Sequence, residues 1–323
     1  AQATPSRFLL DSRSSHRRSV RATIRRMLDA SPTDQPDDSQ PGEDPPESPE
    51  QGRWRRLPRP LKAVIVAVCS IVVLLALTKL IVQLRDRSDP VDTAAVVKQF
   101  EEDGASADGG GGTTIASGAF VYNAKGTEFV DLLGGPMHEF PPEVVATTTS
   151  NDCGGSTNVL KLFEQRNDEM VLCPTDDGAM SMKSSVTRHE FAGLKDQTTT
   201  TCPENSLWPA GLFDLEAGLK ARAECIATGD SVGTIPAMLT SRVFGQEEII
   251  VDGDPVDAQH LQISTVIGSK GSETYGTYDN DFWVTEDGVV VRRSLNADVS
   301  AKTPAGQVGF KETFGLILQE LPA

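Results

Sequence analysis

The sequence has few of the residues that commonly carry catalysis or metal binding. It contains four histidines, five cysteines, three tryptophans and three tyrosines among 323 residues. It has no HExxH, P-loop, GxGxxG or CxxC motif, which are the usual signatures of zinc proteases, nucleotide sites and paired-cysteine metal or redox sites. His138, His189 and His260 are widely spaced, and we interpret them as hydrogen-bonded structural residues. We therefore predict no catalytic, cofactor-binding or metal-ligating residue.

Positive charge is scarce in most of the chain. From residue 85 onward there are 17 Lys and Arg against 37 Asp and Glu, a net charge of −20, whereas the first 84 residues carry a net charge of +4. A region this acidic repels nucleic acid and anionic polymers, so a nucleic-acid partner is excluded there. The acidic stretches at 252–257 and 279–281 lack the spacing of a calcium loop, and we interpret the acidity as a solvated surface.

One uninterrupted apolar stretch stands out, AVIVAVCSIVVLLALTKLIVQL at 63–84. At about 1.5 Å per residue a helix of this length reaches roughly 33 Å, which matches the hydrocarbon thickness of a bilayer. A cleaved signal sequence would lie at the start of the chain, and a buried helix of a soluble domain usually keeps a polar stripe. The sequence therefore predicts a single membrane-spanning helix over 61–85.

Basic residues flank this predicted span unevenly. The membrane-interface residues that we predict all precede it: Arg53, Trp54, Arg55, Arg56, Arg59 and Lys62. Retained Lys and Arg mark the cytosolic side. We therefore expect a plasma-membrane protein with a cytoplasmic N-terminus, an extracytoplasmic C-terminal domain and the lipid bilayer as a partner.

Residues 1–60 are expected to form a cytosolic arm without a core. Residues 14–29 place apolar residues at helical spacing among arginines, which predicts a basic amphipathic helix that contacts anionic lipid or a cytosolic protein. An arginine-rich tail that only reinforces topology is the alternative. Residues 31–51 are rich in Pro, Asp, Glu and Ser, which predicts a disordered spacer. Residues 86–117 are expected to hold a juxtamembrane helix and a Gly-rich linker.

The cysteines suggest an oxidising compartment. Cys153, Cys173, Cys202 and Cys225 all follow the predicted span, an even number that suits two disulfide bonds. If neighbours pair, the bonds are Cys153–Cys173 and Cys202–Cys225, and two other connectivities stay open. Zinc ligation by free thiols is the competing interpretation, although the spacings are wide. Cys69 is interpreted as a small apolar filler.

From residue 118 the hydrophobic period changes to two, which predicts β-strands. Turns are expected at five places: 124–126, 167–168, Ser184, Gly253 and Gly288. Only 214–228, DLEAGLKARAECIAT, has a helical pattern. The predicted fold of 118–323 is a mainly antiparallel β (α+β) domain with few helices, in the form of a curved sheet or half-barrel. Two subdomains, 118–205 and 206–323, or one continuous sheet both stay open.

Several segments carry a resemblance to known proteins: VKQFEED, GAFVY to TEF with LLGG, Cys153, EQR to Cys173, HEF, Cys202 with Pro203, DFWV, VVVRR and LILQELP. They resemble a group of uncharacterised actinobacterial single-pass envelope proteins with a disulfide-bearing ectodomain, which implies a location without a reaction. The EEIIVDGDPVDAQHLQI hairpin and the following WV and VVVRR strands also resemble envelope lipoproteins of the lipid-carrier type. That resemblance implies a curved antiparallel sheet that cradles acyl chains.

Three functional hypotheses follow. The first is a non-enzymatic, membrane-anchored protein of the cell envelope whose outer domain binds a partner protein or envelope component. The second is a carrier or sensor of an apolar, lipid-like ligand, which requires a lined apolar pocket of roughly several hundred Å³. An envelope hydrolase is third, and it would need a cleft with converging carboxylates or histidines of shifted pKa.

Overall fold

The computed structural model describes residues 58–85, 88–103, 115–131, 137–176, 178–191, 194–203, 207, 215–230, 233–303 and 306–322. Helix α1 spans Arg59–Arg85 and helix α2 spans Thr93–Glu102. The predicted amphipathic helix at 14–29, the predicted disordered spacer at 31–51 and the glycine run of the linker lie outside the described residues.

Helix α1 coincides with the predicted membrane span at 61–85. Within the part of the chain that the structure describes, however, no helix is both long and apolar enough to cross a membrane. The predicted single-pass anchor is therefore not supported by the structure. Of the predicted membrane-interface residues, Arg59 and Lys62 fall in α1, whereas Arg53, Trp54, Arg55 and Arg56 lie outside the described residues.

The rest of the described chain is almost entirely β-structure. Thirteen strands follow in order: β1 Gly118–Val130, β2 Met137–Glu139, β3 Glu143–Ser150, β4 Ser156–Phe163, β5 Arg166–Pro174, β6 Met180–Phe191, β7 Leu194–Thr201, β8 Lys220–Gly229, β9 Gly233–Val251, β10 Asp254–Gly268, β11 Thr274–Val284, β12 Val290–Thr303 and β13 Gly306–Leu318. From β3 to β13 each strand pairs antiparallel with its neighbour in the chain. This confirms the predicted antiparallel β fold with few helices.

Strand β1 closes the sheet. It pairs with β3 on one side and with β13 on the other, so that Tyr122 lies opposite Leu318 and Val130 lies opposite Phe310. Twelve strands therefore form a closed barrel, and the short β2 pairs with the end of β1. The predicted curved sheet or half-barrel is wrong on this point, because the alternation of each strand does not reveal that the first and last strands pair. The two possible subdomains, 118–205 and 206–323, both contribute strands to this one sheet.

Glycine explains one misplaced turn. The sequence predicted a turn at 124–126, but β1 continues without interruption through Gly126. A Cβ atom at Gly126 would lie 2.1 Å from the Thr313 carbonyl oxygen, so this glycine permits a close approach of the β13 backbone. The predicted turns at Gly253 and Gly288 are confirmed as the β9–β10 and β11–β12 connections.

The remaining turn predictions need correction. The β4–β5 turn lies at 164–165, three residues before its predicted place, so Asn167 and Asp168 belong to β5. Strand β6 runs through Ser184 without a turn, but the pairing with β5 shifts there: Ser184 lies opposite Val171 and Met182 opposite Leu172. An extra residue between them makes a β-bulge, which breaks the alternation in the way a turn would.

The predicted helix at 214–228 is a strand from residue 220 onward. Strand β8 pairs with β7 and β9, and it alternates exposed residues with buried Ala223, Cys225 and Ala227. Alanine, leucine and glutamate in this segment favour a helix locally. Pairing on both sides and burial of alternate small side chains outweigh that preference.

Both predicted neighbour disulfides are present. Cys153 bonds Cys173 and Cys202 bonds Cys225. Their loops of 20 and 23 residues are each worth about 3 kcal/mol in the chain-entropy estimate.

The segment before α2 is attached to the barrel wall. Asp92 caps the helix by accepting a hydrogen bond from the Ala95 amide at 3.0 Å. The Asp89 amide donates to Gln165 Oε1 at 3.0 Å, and Gln165 Nε2 donates back to Asp89 Oδ2 at 2.8 Å. These contacts hold the β4–β5 turn immediately before Arg166, the first residue of β5.

Candidate ligand-binding cavity

A cavity of about 480 Å³ lies inside the barrel. We call it the barrel cavity. Part of its wall is apolar and includes Ile263, Ile267, Leu295, Val299, Val308 and Phe310. Hydroxyl groups line another part, from Ser185, Thr187, Thr198, Thr200 and Thr265. The wall is therefore amphipathic, with aliphatic surface from β10, β12 and β13 and small polar groups mainly from β6 and β7.

The barrel cavity occupies the half of the barrel toward the β6–β7, β10–β11 and β12–β13 connections. Lys195, Ile267 and Ala301 line it within a few residues of those connections. Lys195 is exposed to solvent, so the cavity extends to this end of the barrel. The interior elsewhere contains packed side chains, such as Leu172 and Leu239 in one apolar cluster and Leu162 and Leu316 in another.

A group of buried ionisable residues adjoins the barrel cavity. We call it the charged cluster; its members are Glu128, Arg166, Asp168, His189 and Glu312. Arg166 is 2% exposed and donates to Glu312 Oε2 at 3.0 Å and to Asp168 Oδ1. Its Nε lies 3.6 Å from Glu128 Oε2, and His189 Nε2 lies 2.7 Å from the same oxygen. One arginine thus holds three carboxylates that the sequence places far apart.

Burial and mutual charge set the protonation of the charged cluster. Burial raises the pKa of the Glu312 carboxyl to about 8, although the Arg166 charge opposes that shift. Burial also disfavours ionised Asp168, but the charges of Arg166 and Arg293 hold the pKa of its carboxyl below the ordinary value. Burial and the Arg166 charge lower the pKa of His189 well below its usual range. At neutral pH, Glu312 is therefore mainly protonated and His189 is neutral, whereas Asp168 keeps its negative charge.

Arg293, on β12, is a second buried cation in the cavity wall. It is 9% exposed, and its Nε donates to Asn280 Oδ1 at 3.0 Å. Its guanidinium carbon lies 5.1 Å from the centre of the Phe282 ring and 5.7 Å from that of Phe314. Stacking on two aromatic rings holds the guanidinium in place.

The histidines do not meet. His189 bonds Glu128 within the charged cluster, as given above. His260 lies on the outer face of the barrel, where its two ring nitrogens contact Glu247 Oε1 at 2.8 Å and Asp281 Oδ1 at 2.9 Å. His138 lies on β2, and its ring makes an edge contact with Phe163. The predicted hydrogen-bonded role is thus observed for His189 and His260.

Among the described residues there is no metal site, and the strands around the one GxSxG segment do not make a nucleophile elbow. In that part of the chain no three His, Cys, Asp or Glu side chains are arranged to hold a metal ion. The segment GDSVG at 229–233 has the GxSxG spacing of a hydrolase nucleophile, which requires a strand followed by a helix. Here the segment joins the antiparallel strands β8 and β9. Its context is therefore not that of a nucleophile elbow.

Comparison of the chain with models of known protein families, with curated proteins and with solved structures finds no significant match. The resemblances drawn from the sequence stay predictions. Any functional conclusion therefore depends on the geometry of the barrel.

Sequence reasoning missed the residues that distinguish the cavity wall. Arg293 and Glu312 share a strand face with buried apolar neighbours, Leu295 on β12 and Phe314 on β13. A charged residue at a strand position that alternation assigns to the apolar face was therefore a signal of an interior polar site. The sequence does not show which residues contact it, because Arg166 and Glu312 are 146 positions apart.

Proposed function

We propose that the barrel binds a small, mainly apolar ligand in its cavity, as a carrier or sensor. One observation carries this proposal: the interior of the closed barrel retains a cavity of about 480 Å³ with aliphatic walls. Sites for small ligands commonly have volumes of about 300–1,000 Å³. The pocket that the second sequence hypothesis required is thus available, and that hypothesis is the one that we carry forward.

The strand number supports this proposal. A barrel of about eight strands is just wide enough for its interior to be filled by side chains, and wider barrels enclose ligand cavities. Twelve strands leave more width than side chains need. Large inward residues such as Leu172 and Leu316 occupy part of that width, whereas the cavity region carries smaller ones such as Ser185, Thr200 and Ala301.

The ligand would be amphipathic, because the cavity wall has both aliphatic and hydroxyl-bearing side chains. Hydroxyl groups of β6 and β7 face aliphatic side chains of β10, β12 and β13 across the same space. Thr187 already donates to Asp168. A purely hydrocarbon ligand would leave the hydroxyls of Ser185, Thr198 and Thr200 without a partner among the described residues, at a cost of about 1–3 kcal/mol each where no water remains. A mainly apolar molecule with one polar end fits the wall better.

Binding of the neutral fluorescent probe 1-aminoanthracene to the purified full chain tests the proposal. We expect saturable binding of one probe per chain. Ala301→Phe places a ring in the cavity and should weaken binding about tenfold or more, whereas Ser300→Phe, one position away on the outer face of β12, should leave it unchanged. Thermal unfolding of both variants checks folding, and Val308→Phe offers a second way to fill the cavity. Absence of saturable binding by the wild type, or equal binding by a folded cavity-filled variant, would overturn the proposal.

We also propose, from the sequence, that the barrel acts outside the plasma membrane with the N-terminus in the cytoplasm. The polarity of basic residues around 61–85 and the two disulfides support this location. Labelling of intact cells with a membrane-impermeant amine reagent tests it. We expect modification of barrel lysines such as Lys302 and Lys311, which are exposed. Modification confined to lysed cells would contradict the location without bearing on the cavity.

A further inference from the structure

Arg293 has binding capacity that the protein itself leaves unused. Its Nε is bonded to Asn280, but its two terminal nitrogens make no hydrogen bond to any residue that the structure describes. The side chain is nine-tenths buried and lines the barrel cavity. Arg293 therefore brings unused hydrogen-bond donors to the wall of the space in which a ligand would lie.

An arginine in this state is unusual in a protein interior. A buried charge without a hydrogen-bonded partner of opposite charge is strongly disfavoured. Arg166, a few strands away, shows the ordinary solution, since it is bonded to Asp168 and Glu312 and lies beside Glu128. No comparable ion pair is present for Arg293 within the described chain, and burial lowers the pKa of its guanidinium.

Two further donors for an anion line the cavity on β11, the strand that pairs with β12. Asn280 contacts Arg293 directly, and Tyr278 lies further along the strand, opposite Ala297. The Tyr278 hydroxyl and the Asn280 amide nitrogen have no hydrogen-bond acceptor among the described residues. Burial, together with the Glu312 charge, raises the pKa of Tyr278, so its hydroxyl remains a donor at neutral pH.

The nearby negative charge is already compensated. Asp168 has the largest carboxylate effect on Arg293, but its Oδ1 accepts from Arg166 and from the Thr187 hydroxyl at 3.0 Å. Beyond Arg293 along the same face of β12 come Leu295, Val299 and Ala301, all in the cavity wall. A ligand head at Arg293 would thus have its tail beside aliphatic side chains.

We infer that the ligand of the barrel cavity is an amphipathic carboxylate, whose head is bound by the terminal nitrogens of Arg293 with Tyr278 and Asn280 as further donors. Two parallel N–H groups match the two oxygens of a carboxylate. The inference rests on the proposed function, since it concerns the head of a ligand in the same cavity. Compared with the proposed function, the inference specifies that the ligand is negatively charged and has an extended apolar tail.

Displacement of 1-aminoanthracene from the full chain tests this inference with two compounds that differ only in the head, dodecanoate and 1-dodecanol. In the wild type we expect dodecanoate to displace the probe at a concentration about tenfold or more below that of dodecanol. Arg293→Gln should abolish this preference and change the dodecanol result less than about twofold. Arg293→Lys, which keeps the charge without the bidentate geometry, should retain part of the preference.

Arg292→Gln is the matched control. Arg292 is the adjacent residue of β12, and its guanidinium lies over Trp283, 4.3 Å from the ring centre, on the outer face. This variant should preserve the preference for dodecanoate. Equal displacement by the two compounds in the wild type, or an undiminished preference in folded Arg293→Gln, would overturn the carboxylate inference while leaving the cavity proposal intact. Failure of the probe itself to bind would overturn the proposed function instead.

Discussion

Arg166 on β5 donates a 3.0 Å hydrogen bond to Glu312 on β13, although these two strands do not pair. Between them in the barrel wall lie β4, β3 and β1. The contact therefore crosses the interior and joins two separate parts of the wall beside the cavity. Arg166 also contacts both members of a cross-strand pair, because Glu312 lies directly opposite Glu128 on β1.

Replacement of Arg166 by alanine should destabilise the protein by about 3–5 kcal/mol. The variant leaves buried Asp168 and Glu128 without their counter-charge, which is the costly way to disrupt a buried ion pair. Urea unfolding measures the effect. Arg188→Ala is the control: Arg188 pairs with Glu169 at 2.9 Å, but its side chain is 41% exposed, so a loss of about 0–1 kcal/mol is expected. Equal losses in the two variants would contradict a dominant role for the charged cluster.

Glu312 should make stability fall as the pH rises through neutrality. Its pKa is raised from 4.5 to about 8 by burial, so the folded state holds a proton that the unfolded state has released. The stabilising contribution is complete below about pH 4.5 and is lost as the pH rises toward 8. We expect the melting temperature of the wild type to decrease between about pH 7.5 and 8.5, a window in which His189 is almost entirely neutral in both states.

Glu312→Gln isolates this contribution. Glutamine has nearly the same shape, stays neutral, and its carbonyl oxygen can accept the hydrogen bond from Arg166. Over the same pH window the melting temperature of this variant should fall less than that of the wild type. His260 titrates in both proteins, so the difference between the two curves reports Glu312 alone. Parallel curves would show that Glu312 is ionised in the folded protein.

The strands of this fold were accessible from the sequence, whereas the barrel and its cavity were not. Alternation predicted the segments of β9, β10 and β13 because each exposes one face and buries the other. Closure depends on the pairing of β1 with β13, whose residues are nearly 200 positions apart, such as Tyr122 and Leu318. The cavity depends on the same closure, since neither its volume nor the approach of Arg166 to Glu312 exists before the barrel is complete.

His260 should be protonated at a higher pH than a free histidine. Burial opposes its charge, but hydrogen bonds to Asp281 and Glu247 outweigh burial and raise the pKa above its ordinary value. His189 should behave in the opposite way, with its pKa well below the ordinary value because of burial and Arg166. NMR titration of the histidine ring signals measures both.

Asp281→Asn should lower the pKa of His260, because it removes the charge of one of the two carboxylates on the ring. Asp279→Asn is the matched control on the same strand face, since Asp279 instead accepts from the Ser264 hydroxyl at 2.6 Å. The control should leave His260 nearly unchanged. A His260 signal that titrates at or below about pH 6.5 in the wild type would contradict the role of both carboxylates.

The Cys202–Cys225 disulfide extends the weakest pairing in the barrel. Strands β7 and β8 share only four residue pairs, the last being Thr201 with Ile226. Cys202 and Cys225 occupy the next position of the same register, with Cα atoms 4.3 Å apart, close to the spacing of a non-hydrogen-bonded antiparallel pair. The bond therefore fixes the β7–β8 register where few hydrogen bonds do so.

Removal of this disulfide should affect the cavity, and removal of the other should not. Thr198 and Thr200 of β7 line the cavity, so loosening of β7 exposes its wall to water. We expect the double variant Cys202→Ser with Cys225→Ser to separate β7 from β8 more easily, at a free-energy cost about 1 kcal/mol lower than in the wild type. Binding of 1-aminoanthracene should then weaken about fivefold or more. The matched control is Cys153→Ser with Cys173→Ser, which opens a loop of nearly equal length. In urea, both double variants should lose about 3 kcal/mol of unfolding free energy. Weaker probe binding in the Cys202 and Cys225 variant alone would therefore locate the effect at the β7–β8 pairing. Equal probe binding by the two double variants would contradict this role of the disulfide.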